Sequence, residues 1–253
     1  MKRLNILSGG AAQGLVGSLA PALEAQTGFT IAGEFGAVGA MAEKLRKGEA
    51  ADIVILTAAI VATLAEEKLV AAASISDVGL VDTALAVRSA DPQVMVRDAS
   101  GLRNALLAAD AIFLPDTKTS TAGIHVAKVL AQLGIADDVA ARLRVFPNGA
   151  TAMRELAASN ARRPIGCTQS TEIISTDGVM LSGSLPPGCE LATMYTAGIT
   201  ARAAHAPEAQ ILIGLLTGSG QQGQRERAGF IDRDRPPQGL DENFENNPMH
   251  RRS

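Results

Sequence analysis

The chain has 253 residues, 47% hydrophobic and 19% charged, so it can bury a sizeable core and is not a disordered polymer. Aromatic residues make up only 3%, with one Tyr and no Trp, which argues against a stacking platform for sugars or single-stranded nucleic acid. A formal net charge of −3 gives no basic field for nucleic acid or an anionic membrane. The expected partner is a small ligand, and local donors must hold any anion.

Strand-like and helix-like segments alternate from the start, the pattern of an α/β fold with a largely parallel sheet. Leu4 to Leu7 reads as a strand that breaks at Ser8-Gly9-Gly10, and a helix follows from Ala11 to Gln26, closed by Gly28. Phe29 to Phe35 is a second strand, Gly36 to Gly39 a turn and Ala40 to Lys47 a helix. Asp52 to Leu56 is a buried strand, and Ala58 to Lys68 a helix.

A long extended segment follows, Val78 to Val87. Ser100 is the expected cap of a helix through Ala109. Ala111 to Leu114 is a strand, Thr117 to Thr121 a polar turn and Ala122 to Leu133 a helix. Leu143 to Phe146, Thr151 to Ser159 and Ile165 to Thr168 read as strand, helix, strand. Leu191 to Ala201 is a second long extended segment, and Pro207 to Leu216 a helix. The two long segments suggest that the chain leaves one lobe, builds another and returns. Lobe 1 is then 1–82 with 197–230 and lobe 2 is 83–196. Residues 231–253, charged, broken by proline and without periodicity, read as a flexible tail.

The start of the chain lacks the roughly 7–15 apolar residues and small-residue cleavage site of a secretory leader. The location expected from this is the cytosol, or the periplasm if a leader has been trimmed. No apolar run reaches the roughly 18 residues of a membrane span.

In open α/β sheets, ligands collect at the carboxyl ends of strands, where helix N-termini present unpaired N–H groups and the positive end of the dipole. Each such junction is a candidate ligand contact. Ser8, Gly9 and Gly10 offer a hydroxyl and close backbone approach. Val38 and Gly39 precede a helix and can offer only backbone N–H. Thr57 ends a strand. Thr119, Ser120 and Thr121 bring three hydroxyls to one helix start, where capping needs only one. Asn148, then Thr168 and Gln169, end two later strands, and Tyr195 lies on the returning segment.

Catalytic patterns are scarce. The glycines after the first strand have neither dinucleotide-binding nor P-loop spacing. No serine-hydrolase elbow is present. Cys167 and Cys189 form no CxxC, and the three His residues have no metal-ligand spacing, so no metal and no cofactor is expected. His125, about one turn into a helix, and Lys118 are the candidate general bases.

Leu4 to Gly10, Phe35 to Ala40, Ala51 to Ile55, Leu133-Gly134-Ile135, Pro164-Ile165-Gly166 and Tyr195 to Ile199 resemble the molybdate-binding branch of the solute-binding proteins. The likeness runs over residues 4 to about 230. It implies a two-lobed, type II periplasmic-binding-protein-like α/β fold with two crossover strands and an anion held by hydroxyls and backbone N–H groups. Ser8 matches the family's first serine ligand. Val38 stands where the second serine is expected, and Thr168-Gln169 where a tyrosine is expected. Gly134 to Asp137, Ile165 to Gln169 and Leu185-Pro186-Pro187 are also similar to the aconitate isomerases, which move a proton within a tricarboxylate. The main expectation is therefore binding of a di- or tricarboxylate, with an isomerase-like proton transfer. The alternative is an oxyanion solute-binding protein of an ABC transporter, without turnover, whose partner is the ABC permease.

Overall fold

The computed structural model describes residues 2–232. The first strand, Lys2–Gly9 (β1), leads through a single 3-10 turn into Gln13–Thr27 (α1). Gly28 ends that helix in the left-handed region at φ 71°, a conformation glycine adopts without strain. Phe29–Gly36 (β2), Val38–Arg46 (α2), Ile53–Thr57 (β3) and Ala58–Glu66 (α3) complete the first set. The long strand Ser76–Arg88 (β4) follows, then Ala99–Ala108 (α4), Ala111–Pro115 (β5), Thr121–Gln132 (α5) and Ala136–Val139 (α6). Next come Leu143–Phe146 (β6), Gly149–Ala158 (α7), Pro164–Gln169 (β7), Ser170–Ile174 (α8) and Val179–Ser184 (β8). The chain returns through Ala192–Ile199 (β9) and ends in Ala206–Thr217 (α9) and Gln222–Arg227 (α10).

The sheet order is β2-β1-β3-β9-β4-β7-β5-β6, with β8 also paired to β4. β1, β2 and β3 are mutually parallel, as are β5, β6 and β7. β4 belongs to both groups. Its residues 76–82 pair with β9, and its residues 83–86 pair with β7. The molecule is thus a two-lobed α/β structure.

The core divides in the same way. One cluster gathers Leu4, Leu15, Leu19, Ile53, Ile55 and Leu56 with Tyr195, Leu212 and Phe230. Two others flank the second group of strands. Leu85, Ile112 and Leu114 pack under α4 and α5, while Ala84, Ala86 and Phe113 pack under α7 and α8. β3, β5 and β7 are buried at every position; β3 and β5 read as apolar runs instead of alternating ones, while β7 ends in the buried polar pair Thr168 and Gln169. Each fully buried Leu or Ile contributes about 1.5–3 kcal/mol of transfer free energy.

Three local expectations are corrected. Asp98, not Ser100, caps α4, accepting the Gly101 N–H at 2.7 Å. α2 and α7 begin at Val38 and Gly149, two residues before the expected Ala40 and Thr151, so Gly39 and Thr151 both lie within the first turns of helices. β8, α8 and α10 lie where no element was expected. Ile231, the first residue of the expected flexible tail, instead exchanges backbone hydrogen bonds with Leu80 at 2.8 and 2.9 Å. The proposed tail beyond 232 lies outside the described residues.

Candidate functional site

The carboxyl ends of β1, β2 and β3 face those of β5, β6 and β7 across the gap between the lobes. Two contacts fix this meeting. The Gly39 N–H at the start of α2 donates to the Thr119 carbonyl just before α5, at 3.3 Å. Gly10, which follows β1, lies against the carboxylate of Glu172 at the start of α8. Helix N-termini from both lobes therefore point into one region, and their dipoles favour negative charge there.

On the lobe 1 side, Ser8 is fully buried and donates its hydroxyl to the Gly9 carbonyl at 2.9 Å. Gly9 is wedged between Val38 and Tyr195. A Cβ built on it would come within 2.8 Å of Val38 Cγ1 and 2.9 Å of Tyr195 Cε1. Thr57 is buried opposite Tyr195 in the antiparallel β3–β9 register and stands just before α3 without capping it. The Tyr195 hydroxyl bonds no group among the described residues, and its ring meets Phe230 edge-on at 6.4 Å. Burial, with the charge of Glu172 beside it, pushes the phenol's pKa well up, so it stays a neutral donor.

On the lobe 2 side, Asp116 Oδ1 accepts the Lys118 and Thr119 N–H groups and the Thr119 hydroxyl at 2.7–2.9 Å. These bonds hold that carboxyl below the usual range and set the turn before α5. Ser120 then occupies the capping position of α5 but makes no capping bond, and Thr121 begins the helix. α2, α3 and α5 all enter the cleft without a side-chain cap, whereas α4, which starts elsewhere, is capped by Asp98. Their first N–H groups are left for water or a ligand.

β7 carries the most informative pair. Its register with β4 places Thr168 opposite Ala84 and Gln169 opposite Thr83, so the two side chains leave opposite faces. Thr168 leaves on the α7 side and donates its hydroxyl to Glu172 Oε2 at 2.5 Å. Gln169 leaves on the α5 side, only 3% exposed, and neither polar atom of its amide has a partner. Ser170 and Thr83 hydroxyls nearby are likewise buried and unpartnered.

Glu172 was not anticipated. It is buried, and burial raises its pKa above the ordinary glutamate value. The Thr168 hydroxyl and the N–H groups of Gln169, Ala150 and Gly149 pull the other way and lose to desolvation. Gly149 packs closely here, because a Cβ on it would overlap Glu172 Oε2 and Thr168 Oγ1 unless those side chains shifted.

The remaining expected residues lie elsewhere or are occupied. His125 Nε2 is 2.8 Å from the Cys189 carbonyl, in lobe 2. Lys118 is exposed, and no ion pair holds it among the described residues. Asn148 caps α7 by accepting the Thr151 N–H at 2.8 Å. Both cysteines are free and buried. Among the described residues no group of three His, Cys, Asp or Glu side chains could hold a metal ion, and no helix is long and apolar enough to cross a membrane.

Comparison with known proteins places this geometry among solute-capturing folds. The periplasmic molybdate-binding protein of Azotobacter vinelandii superposes with a TM-score of 0.75 at 18% identity, covering 90% of this chain and 98% of its own. The sulfate-binding protein of Mycobacterium tuberculosis gives 0.72 at 18% identity, covering 92% and 88%. The substrate-binding domain of a molybdenum ABC transporter from Clostridium difficile gives 0.64 at 16%, covering 92% and 99%. An aconitate isomerase from a Pseudomonas species is 24% identical over 224 residues, 84% of this chain and 81% of that protein. The bacterial extracellular solute-binding protein family matches residues 4–231, nearly the whole described chain, and to that family this protein belongs.

Proposed function

We propose that this protein captures a small anion between its lobes and releases it unchanged, in the manner of an oxyanion solute-binding protein. Gln169 carries the reading. Its amide, at the end of β7, is buried and unpartnered at both atoms. Such a group costs about 1–3 kcal/mol when left unsatisfied, and a ligand bonding it restores that free energy. The other proposed contacts are also neutral: Ser8, Gly9, Gly10, Val38, Gly39 and Thr57 from lobe 1, Thr119 to Thr121 and Thr168 from lobe 2, and Tyr195 from the return strand. The lobe limits are taken as 1–82 with 197–230 and as 83–196; the separate core clusters support the division, with Tyr195 packing in the first lobe's cluster.

Capture calls for an ABC permease as partner and for a site of action outside the cytosol. The family's extracellular description and the molybdate- and sulfate-binding neighbours favour this over the cytosolic carboxylate isomerase expected from the sequence. Turnover is the second reading, favoured by one observation besides the distant aconitate isomerase. Glu172 is a buried carboxyl beside Tyr195 whose pKa burial raises, so it can hold a proton within the site.

Calorimetric titration with molybdate, sulfate, phosphate, citrate and aconitate tests the first reading; binding by at least one is expected. Proton NMR of any bound carboxylate in heavy water tests the second. Solvent deuterium appearing in the ligand replaces capture by turnover.

A further inference from the structure

We infer that lobe 2 carries a second binding site, apart from the gap between the lobes, for a small amphipathic anion: a monocarboxylate with an apolar chain on the order of six carbons long. The site is a groove of about 270 Å³ between the loop after β4, the last turns of α4 and the start of β7.

The wall of the groove is apolar, formed by Val87 of β4, Val94 of the following loop, Ala105, Ala108 and Ala109 around the end of α4, and Ile165 of β7. The three alanines leave open the space that larger side chains would fill. An apolar cavity of roughly 150 Å³ takes up a benzene ring, so this groove has room for a six-carbon chain and one polar head. Its loop wall is held in place. The Val94 N–H donates to Ser182 Oγ of β8 at 2.6 Å, and the Ser182 hydroxyl donates to the Val94 carbonyl at 3.0 Å. Pro164, another lining residue, begins β7, and Gln169 ends it. At the usual rise of a strand the two lie about 16 Å apart, so the groove is at the far end of β7 from the proposed anion contact.

Charge at the rim sets the sign of the ligand. Asp91 is the one carboxylate that lines the groove among the described residues, and Arg88 neutralises it through bonds of 2.6 and 3.1 Å. Arg163 lies 3.8 Å from Asp110. The Arg162 side chain lines the groove with no ion pair or hydrogen bond among the described residues. One guanidinium is thus left over beside an apolar wall, where a carboxylate can take two parallel N–H bonds. The negative end of the α4 dipole would oppose an anion here. Arg142 offsets it by donating to the Leu107 and Ala109 carbonyls, each at 2.7 Å. A cationic amphiphile would instead meet Arg162, and a neutral one would leave that charge unmatched.

Calorimetry on the full chain at neutral pH compares hexanoate, hexanol and hexylammonium, which share a chain length and differ in head group. Hexanoate should bind with a Kd of about 1 mM or tighter, and about fivefold or more tighter than the other two. Ala108→Leu, at an exposed helix position where leucine is well tolerated, fills the groove and should weaken hexanoate at least about tenfold. Arg162→Ala should remove the preference for hexanoate over hexanol.

Hexanol or hexylammonium binding as tightly as hexanoate overturns the inference, and so does the absence of hexanoate binding at about 10 mM. Neither comparison needs a variant, so both decide even if a substituted chain fails to fold. Hexanoate binding that is lost in Gln169→Met and kept in Ala108→Leu also overturns it, because the carboxylate then sits at the other end of β7. The capture reading stands or falls separately, on the oxyanion titrations.

Discussion

Thr168 and Glu172 are four residues apart and joined by a 2.5 Å hydrogen bond that ties the end of β7 to the first turn of α8. This bond partly offsets the burial of a carboxylate that has no counter-ion, and burial still dominates.

Stability should therefore fall as pH rises out of the acid range. Below the ordinary glutamate value of 4.5, Glu172 is protonated in both the folded and the unfolded chain, and its burial carries no charge penalty. Above it the unfolded chain ionises freely, while the folded chain resists until its own raised pKa is passed. The protein loses stability across that window, because the folded state then holds more protons than the unfolded one. Urea midpoints from acid to neutral pH should show this decline, and Glu172→Gln should remove it.

Gln169→Met keeps a similar length and deletes both unpartnered polar atoms. The apoprotein should become more stable by about 1 kcal/mol, and anion affinity should drop about tenfold. A thermal melt and a titration check the two effects; an unchanged affinity moves the ligand away from β7.

Asp52 provides the contrast. It is 2% exposed and accepts the Asn5 and His205 N–H groups, each at 2.9 Å, which pins β1 to the start of α9. Asp52→Ala should cost about 3 kcal/mol by leaving those donors unmatched, with the order of ligand preference unchanged. Chemical denaturation and competition titrations separate the two outcomes.

Cys167 is buried and its thiol is pushed up to about 12 by desolvation, so almost none is thiolate near neutral pH. Alkylation followed by mass spectrometry should leave it unmodified until denaturant is added.

Much of the framework was legible because strands buried on both faces, such as Ile53–Thr57 and Ala111–Pro115, appear as apolar runs bounded by glycine, proline or polar turns. β8 escaped notice because its apolar run is only three residues, Val179-Met180-Leu181, and it then passes through Ser182 and Gly183, the latter at φ 148°. α8, five residues long, is too short to show helical periodicity. Missing α8 also hid Glu172. An acid after Ser170-Thr171 looks like a solvated turn, and its burial follows from the approach of Gly10 and Gly149, distant in sequence. Thr168 ends β7 and Glu172 lies in α8, so their contact depends on the strand-to-helix turn at Gln169 and Ser170 and follows no single periodicity. Ser120 was anticipated at a helix start. That it leaves the cap unmade depends on a turn organised by Asp116, which no local pattern announces.

β9 lies between β3 and β4 in the sheet, although more than a hundred residues separate it from either along the chain. The first lobe thus lacks an interior strand until synthesis has passed Ile199, whereas the second lobe draws its core from one continuous stretch. On the ribosome the later lobe can fold first, with the earlier one waiting incomplete, its β3 and β4 edges unpaired and prone to association until the closing strand arrives.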